Sequence, residues 1–273
     1  MTLFTCPICA APLQREEGRY LCPNRHSYDL SREGYVHLLP ANKKHSKEPG
    51  DDKAMAAART RFLDGGWYSH LRDALCELVL EHLNEGGALL DAGCGEGYYT
   101  AGIAEALERA GRRCAIAGVD LSKYTLKKAA KRTKQAEFAV ASVYHLPVGD
   151  SAADVLLDCF SPLAIDEYRR VLKTGGVFLY VVPAAEHLYE MKEVLYDAPY
   201  ANAEEDIPYD GFESLGVVSV SKEIHLPDSE TIMALFGMTP YAWKTPKEGV
   251  ERLRQRSELT VTAAFRIHVF RKL

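Results

Sequence analysis

Apolar positions recur at helical spacing in residues 67–83, WYSHLRDALCELVLEHL, where Leu71, Leu75, Leu78 and Leu83 share one side and Gly86-Gly87 marks the stop. A preceding helical pattern runs from about Asp51 through AMAAARTRFLD to Gly65-Gly66. The pattern then changes. Short, continuously apolar, β-branched runs appear at ALLDAG (88–93), CAIAGVD (114–120), EFAVAS (137–142), ADVLLDCF (153–160) and VFLYVVP (177–183). Helical stretches separate them at 98–110, 122–134 and 165–172, the last stopping at Thr174-Gly175-Gly176. Runs apolar on both faces predict parallel strands covered on both sides, and their alternation with helices predicts right-handed βαβ units. The fold class is therefore α/β, a Rossmann-like doubly wound sheet. Two later runs, 216–226 and 259–270, alternate like antiparallel strands. Residues 1–39 carry no helical period, and 40–53, PANKKHSKEPGDDK, reads as a linker. The expected organisation is a small module over 1–39, a linker and connecting helix over 40–66, and a main domain over 67–273.

The chain has 273 residues, 47% hydrophobic and 26% charged, with 20 Gly and 13 Pro, which excludes collagen, low-complexity disorder and a disulfide-dense scaffold. No apolar run nears the roughly 20 residues of a membrane span. The start, MTLFTCPICA, lacks the basic and apolar regions of a signal peptide, so a cytoplasmic protein with no membrane partner is expected. Net charge is −5, yet residues 1–62 carry ten Lys/Arg against seven Asp/Glu. A basic front on an acidic body permits nucleic-acid contact there, as it permits an ordinary solvated surface.

Three of the seven cysteines lie in the first 22 residues. Cys6-Pro-Ile-Cys9 is a C-x2-C turn, and Cys22-Pro-Asn-Arg-His26 supplies a second pair, with Arg19-Tyr20-Leu21 as a strand between them. Two such pairs suit the tetrahedron of a structural Zn²⁺, and so short a segment needs the metal to fold. The bland alternative is accidental cysteines beside a surface histidine. Cys76, Cys94, Cys114 and Cys159 are scattered, as core thiols are. Arg15, Arg19, Arg25 and Arg32 lean towards nucleic-acid binding by the module. More than 60 residues separate His26 from the glycines described next, so their ligand affinity is expected to survive loss of the metal.

Leu89-Leu90-Asp91-Ala92-Gly93-Cys94-Gly95-Glu96-Gly97-Tyr98-Tyr99 runs from a buried strand through three alternate glycines into a helix. Such glycines let backbone approach a ligand closely. The spacing G-x-G-x-G departs from the dinucleotide G-x-G-x-x-G, and Glu96 would repel a pyrophosphate. Asp120 ends the next strand, where a carboxylate can accept both hydroxyls of a ribose. The form D-x-G-x-G-x-G resembles motif I of the class I S-adenosylmethionine-dependent methyltransferases. His145-Leu146-Pro147, Asp154 and Val171-Leu172-Lys173-Thr174-Gly175-Gly176 match later landmarks, so this resemblance spans roughly 68–185.

CPIC…CPNRHSYDLSREGYVHLLP, KEPGDD, ARTRFLDGGWY, LLDAGCGEGYYT and MTPYAW together resemble the bacterial 23S rRNA guanine-N1 methyltransferases over nearly the whole chain. The resemblance implies methyl transfer from S-adenosylmethionine to N1 of a guanine in the hairpin 35 loop, position 745 or 748. It also implies a structural zinc on Cys6, Cys9, Cys22 and His26, and a homodimer gripping RNA between its zinc modules. Cofactor contacts carried over are Tyr68, Gly93, Cys94, Gly95, Glu96, Gly97, Tyr99, Thr100 and His187, beside Asp91 and Asp120. Tyr68 reads equally as an aromatic opening an amphipathic helix, and His187 as a helix-surface histidine. N1 of guanine is protonated at neutral pH, so a base is useful, and Asp158 at the end of the fourth strand is the candidate. Cys159 and Ser161 adjoin it, while Tyr144, Phe160 and Tyr180 are either stacking partners for the base or core. Two other classes stay open: a small-molecule methyltransferase, which has little use for a zinc module, and a non-catalytic RNA-binding protein, which would not need Asp91 and Asp120.

Overall fold

The computed structural model describes residues 2–40, 53–205 and 208–273. Most of the linker, including Lys43, Lys44 and Lys47, lies outside the described residues. The chain opens with four short strands, β1 (Gln14–Glu16), β2 (Arg19–Leu21), β3 (Ser27–Asp29) and β4 (Tyr35–His37). Helices α1 (Lys53–Asp64) and α2 (Ser69–His82) precede β5 (Ala88–Ala92), α3 (Tyr98–Arg109), β6 (Ala115–Asp120), α4 (Lys123–Arg132) and β7 (Glu137–Val140). Then come β8 (Ala153–Cys159), α5 (Ile165–Val171), β9 (Leu172–Pro183), α6 (Tyr189–Leu195) and β10 (Phe212–Leu226). Helices α7 (Ser229–Gly237), α8 (Tyr241–Lys244) and α9 (Lys247–Arg254) lead to β11 (Leu259–Lys272).

Eight strands form one sheet in the order β10-β11-β9-β8-β5-β6-β7-β4. Strands β9 to β4 of that order run parallel, while β11 and β10 extend it antiparallel. All five residues of β5 are buried, as its continuous apolar run requires. The Thr174-Gly175-Gly176 stop reads differently in three dimensions. Helix α5 ends at Val171 and β9 starts at once, so the glycines sit in a register shift of the β8–β9 ladder, with Gly175 at φ +80°.

One face of the sheet is covered by α2, α3 and α4, through Leu71, Leu75, Ile103, Leu107 and Leu126. The other face is short of helix, because residues 141–152 return from β7 to β8 without forming one. The N-terminal segment fills that gap. Phe4, Leu13, Tyr20, Val36 and Leu38 pack with Leu90, Ala92, Val119, Ala139 and the α5 residue Tyr168 in one core cluster. Thr5 N donates to Pro147 O at 2.8 Å, Phe4 meets Tyr20 edge-on at 6.1 Å, and β4 pairs parallel with β7 at the sheet margin. Residues 1–39 and the main domain therefore share a core.

Candidate functional site

The two cysteine turns come together at the tip of the N-terminal segment. One ligand atom from each of Cys6, Cys9, Cys22 and His26 lies within 4.8 Å of the others. Cys9 Sγ is 3.2 Å from Cys22 Sγ, and His26 Nδ1 is 3.4 Å from Cys6 Sγ and 3.6 Å from Cys9 Sγ. A tetrahedron with zinc–sulfur bonds of about 2.3 Å has edges of about 3.7 Å, so the set fits Zn²⁺ with no position left for a substrate. Each turn closes on a left-handed residue, Ala10 at φ +58° and Arg25 at φ +66°. Asn24 donates from its backbone to Cys22 Sγ and from its side chain to Cys9 Sγ, both at 3.3 Å. That side-chain bond leads the causes that lower the Cys9 thiol to about 6, readying it as a thiolate ligand.

A cavity of about 760 Å³ opens at the carboxyl ends of β5, β6, β8 and β9. The sheet order reverses here, with β6 on one side of β5 and β8 on the other, which is where open α/β sheets bind ligands. Gly93, Gly95 and Gly97 all have positive φ, at +88°, +54° and +73°. A Cβ on Gly93 would stand 2.3 Å from Ser161 Oγ, and one on Gly97 2.9 Å from Ala129 Cβ, so neither tolerates a side chain. The loop is pinned to β6. Val119 O accepts from Gly93 N at 2.8 Å and Cys94 N at 2.9 Å, and Asp120 Oδ2 accepts from Gly95 N at 3.0 Å. Asp120 Oδ1 also accepts from Ser122 N at 2.7 Å and Thr125 Oγ1 at 3.2 Å. Burial raises the Asp120 carboxyl, while these bonds and the charge of Arg59 oppose the rise.

Tyr68, Asp91, Gly93, Cys94, Gly95, Glu96, Tyr99, Asp120 and His187 all line this one cavity. Asp91 accepts from Thr100 Oγ1 at 2.5 Å, and burial pushes its carboxyl up to about 7. Thr100 thus acts through Asp91 and does not itself line the cavity, nor does Gly97. Tyr68 precedes α2 and is buried against Phe265, with ring centroids 4.9 Å apart. His187 Nδ1 accepts from Ala264 N at 3.2 Å, and burial drives its pKa down to about 3. The ring is neutral at physiological pH, and Nε2 carries its proton.

Two sequence expectations change. Glu96 is 1% exposed, accepts from Arg132 Nη2 at 2.6 Å and from the Thr60 hydroxyl, and so spends its charge on α4 and α1. Repulsion of a pyrophosphate by Glu96 therefore falls away as an argument; the glycine spacing stands alone. Asp158 is wholly buried and is not among the lining residues. Its Oδ2 accepts from Tyr168 Oη at 2.8 Å and its Oδ1 from Ser161 N at 3.0 Å. Strand alternation explains this: Asp158 shares the parity of Leu156, on the α5 side, while Cys159 faces the cavity. Burial raises Asp158 to about 7, but the group holds the 158–162 turn and has no access to a ligand.

That turn carries Phe160 at φ +61°, 48% exposed at the cavity mouth. Tyr144, also exposed, and half-buried Tyr180 line the same cavity. Sequence reasoning missed further wall residues: Arg59 and Leu63 of α1, Asn202, and Thr239 to Tyr241 with Trp243, the last 68% exposed. The segments MTPYAW and ARTRFLDGGWY were visible as motifs; nothing within the second distinguished Arg59 from Arg61.

Comparison with known proteins gives two family matches. Residues 4–47 match the RlmA N-terminal zinc-ribbon family, and residues 83–224 match a methyltransferase-domain family. The 23S rRNA (guanine(748)-N(1))-methyltransferase of Streptomyces fradiae is 31% identical over 96% of this chain and 95% of its own length. A Bacillus subtilis protein provisionally named as a 23S rRNA (guanine-N1)-methyltransferase is 32% identical over 96% of this chain and 94% of its own. A malonyl-[acyl-carrier protein] O-methyltransferase of Hamiltonella defensa is 34% identical, but over 38% of this chain and 41% of its own.

Proposed function

The chain belongs to the 23S rRNA (guanine-N1)-methyltransferases, and from that premise we propose that it transfers the methyl group of S-adenosylmethionine to N1 of a guanine in the hairpin 35 loop of 23S rRNA. The observation that carries this reading is likeness along the whole chain, embracing the zinc ribbon and the glycine loop alike. The nucleotide is 748, as named for the Streptomyces fradiae relative, or 745.

Bound S-adenosylmethionine supplies a methyl group already activated by its sulfonium. The protein aligns the target nitrogen with it and excludes competing groups. Asp120 accepts the ribose hydroxyls, and Asp91 balances the cofactor's positive charge. Tyr68, Tyr99 and neutral His187 form the wall. The guanine leaves its stack to enter the mouth, where Phe160, Tyr144 and Trp243 offer ring faces. The positive φ of Phe160 supports this use, since strained backbone concentrates at functional sites. Asp158 enters as the group that holds the Phe160 turn; buried and outside the cavity lining, it is not kept as the N1 base.

RNA phosphates are read as meeting exposed Arg25 and Arg32 of the ribbon. A homodimer presents two such ribbons to one RNA. Among the described residues no helix is long and apolar enough to cross a membrane, and we assign the protein to the cytoplasm with the ribosome.

Primer extension tests the reaction, because N1 methylation blocks base pairing. A 23S transcript treated with the protein and cofactor is expected to stop the polymerase at the hairpin 35 guanine. Full read-through on that transcript, with cofactor bound, would transfer the protein to a small-molecule acceptor.

The Asp91 carboxyl, near 7 in the free site, makes cofactor affinity depend on pH. A cationic ligand favours the ionised form, so loading releases a proton; affinity is full above 7 and lost as pH falls below it. Calorimetry at pH 8 and pH 6 should show a loss of up to about tenfold per unit below 7. Asp91→Asn should remove the dependence; a wild-type affinity equal at both pH values would exclude Asp91 as the counter-charge.

A further inference from the structure

We propose that Arg59, on α1, binds the carboxylate of the methionine part of S-adenosylmethionine, making α1 a wall of the cofactor site. The proposal rests on the cavity being the S-adenosylmethionine site, and extends it to a residue and an element that motif I does not reach.

The first support is the charge of the wall. The cofactor's amino-acid end carries one ammonium and one carboxylate beside the sulfonium. The cavity supplies Asp91 and Asp120 for positive charge and hydroxyls, but the carboxylate needs a cation or donors. Arg59 is the one lysine or arginine among the described residues that line it. His187 is held neutral by burial and by the charge of Lys192, so it brings no charge.

Backbone donors are the usual substitute, and here most are committed. In the glycine loop, Gly93 N and Cys94 N go to Val119 O, Gly97 N to Cys94 O, and Gly95 N to Asp120. The loop's shape is thereby held, at the expense of its capacity to bind an anion. A guanidinium, with a planar fork of donors matched to a carboxylate, answers that deficit.

Position is the second support. The open side of Gly95 faces Arg59: a Cβ there would find nothing within 4 Å except Arg59 Nη1, at 3.9 Å. Its charge reaches Asp120 and Cys159, two walls of the same cavity. The helix beneath it is fastened to the loop. Thr60, the next residue, donates to the Glu96 carboxylate; Lys128 Nζ donates to Ala56 O at 2.9 Å; and Arg132 Nη2 pairs with Asp64 Oδ1 at 2.8 Å. Buried Glu96 thus acquires a purpose in the site. It ties the motif loop to the helix that presents Arg59.

The test is calorimetry of wild type, Arg59→Ala and Arg59→Lys with S-adenosylmethionine and with its decarboxylated analogue. Arg59→Ala should weaken S-adenosylmethionine 10- to 100-fold, with Lys recovering part of the loss, while the analogue binds wild type and variant alike. Thermal melting without ligand should place the variants close to wild type. Equal losses for both ligands, or unchanged S-adenosylmethionine affinity with a raised KM for RNA, would overturn the proposal; the second outcome would assign Arg59 to the nucleic acid. If wild type bound neither S-adenosylmethionine nor S-adenosylhomocysteine, the reading of the cavity itself would fall.

Discussion

Cys6→Ser with Cys9→Ser is expected to destabilise the whole chain and weaken cofactor binding, and not merely to release an N-terminal module. Zinc binding in small modules is worth on the order of 10–16 kcal/mol at neutral pH, much of it expressed as folding energy. A metal-free ribbon would lose its two closed turns and its hold on Phe4, Leu13, Tyr20, Val36 and Leu38, each at most 3% exposed. Burying such a side chain is worth roughly 1.5–3 kcal/mol, so the group approaches the whole stability of an ordinary domain. Those side chains cover Leu90 and Ala92 of β5, and β5 runs directly into the glycine loop. The independence expected from more than 60 residues of separation therefore gives way to a shared core. Chelator-treated protein and the double variant should both melt well below wild type and bind S-adenosylmethionine poorly, with zinc content lost in parallel. A zinc-free variant with the wild-type melting temperature and cofactor affinity would show that the ribbon is not a structural layer of the sheet.

The parts of the molecule that were legible in the sequence are those whose cause is local. Strand β5 shows as an apolar run because both faces are buried, and the three glycines show because each needs a positive φ. The zinc ligands show because two turns must each present a pair. Strand β4 did not show: Tyr35-Val36-His37 is three residues long, and its partner, Phe138-Ala139-Val140, lies about a hundred residues on. Its pairing is with a strand far along the chain, which no window of sequence contains. Asp158 illustrates a finer limit. An acid at the end of a strand is easy to find, but strand parity decides its face, and one residue separates buried Asp158 from Cys159 in the cavity wall. Arg59 and Trp243 drew no role from the sequence for a related reason, since an arginine on α1 and a tryptophan on α8 acquire meaning only from the cavity they border.

Asp120→Ala is expected to raise the dissociation constant for S-adenosylmethionine by roughly one to two orders of magnitude, equivalent to about 1.5–3 kcal/mol. Two losses combine. The carboxylate offers the ribose a charge-assisted acceptor at the end of β6, and it also holds the empty loop in shape through Gly95 N, Ser122 N and Thr125 Oγ1. Without it the Gly95 amide is released, and the loop must be ordered by the ligand at a cost in affinity. Asp120→Asn separates the two: its single carbonyl oxygen can still accept from Ser122 or Gly95 but no longer serves both anchors and a hydroxyl. Its affinity should fall between those of wild type and the alanine variant. Burial of the charge is itself unfavourable here, since it raises the carboxyl above its ordinary range. Removing that charge offsets part of the lost bonding, so both variants should melt near wild type when no cofactor is present. Affinity should change more than stability. Unaltered S-adenosylmethionine binding by Asp120→Ala would mean that the end of β6 does not hold the ribose, and a large fall in melting temperature with normal affinity would leave Asp120 as a loop anchor alone.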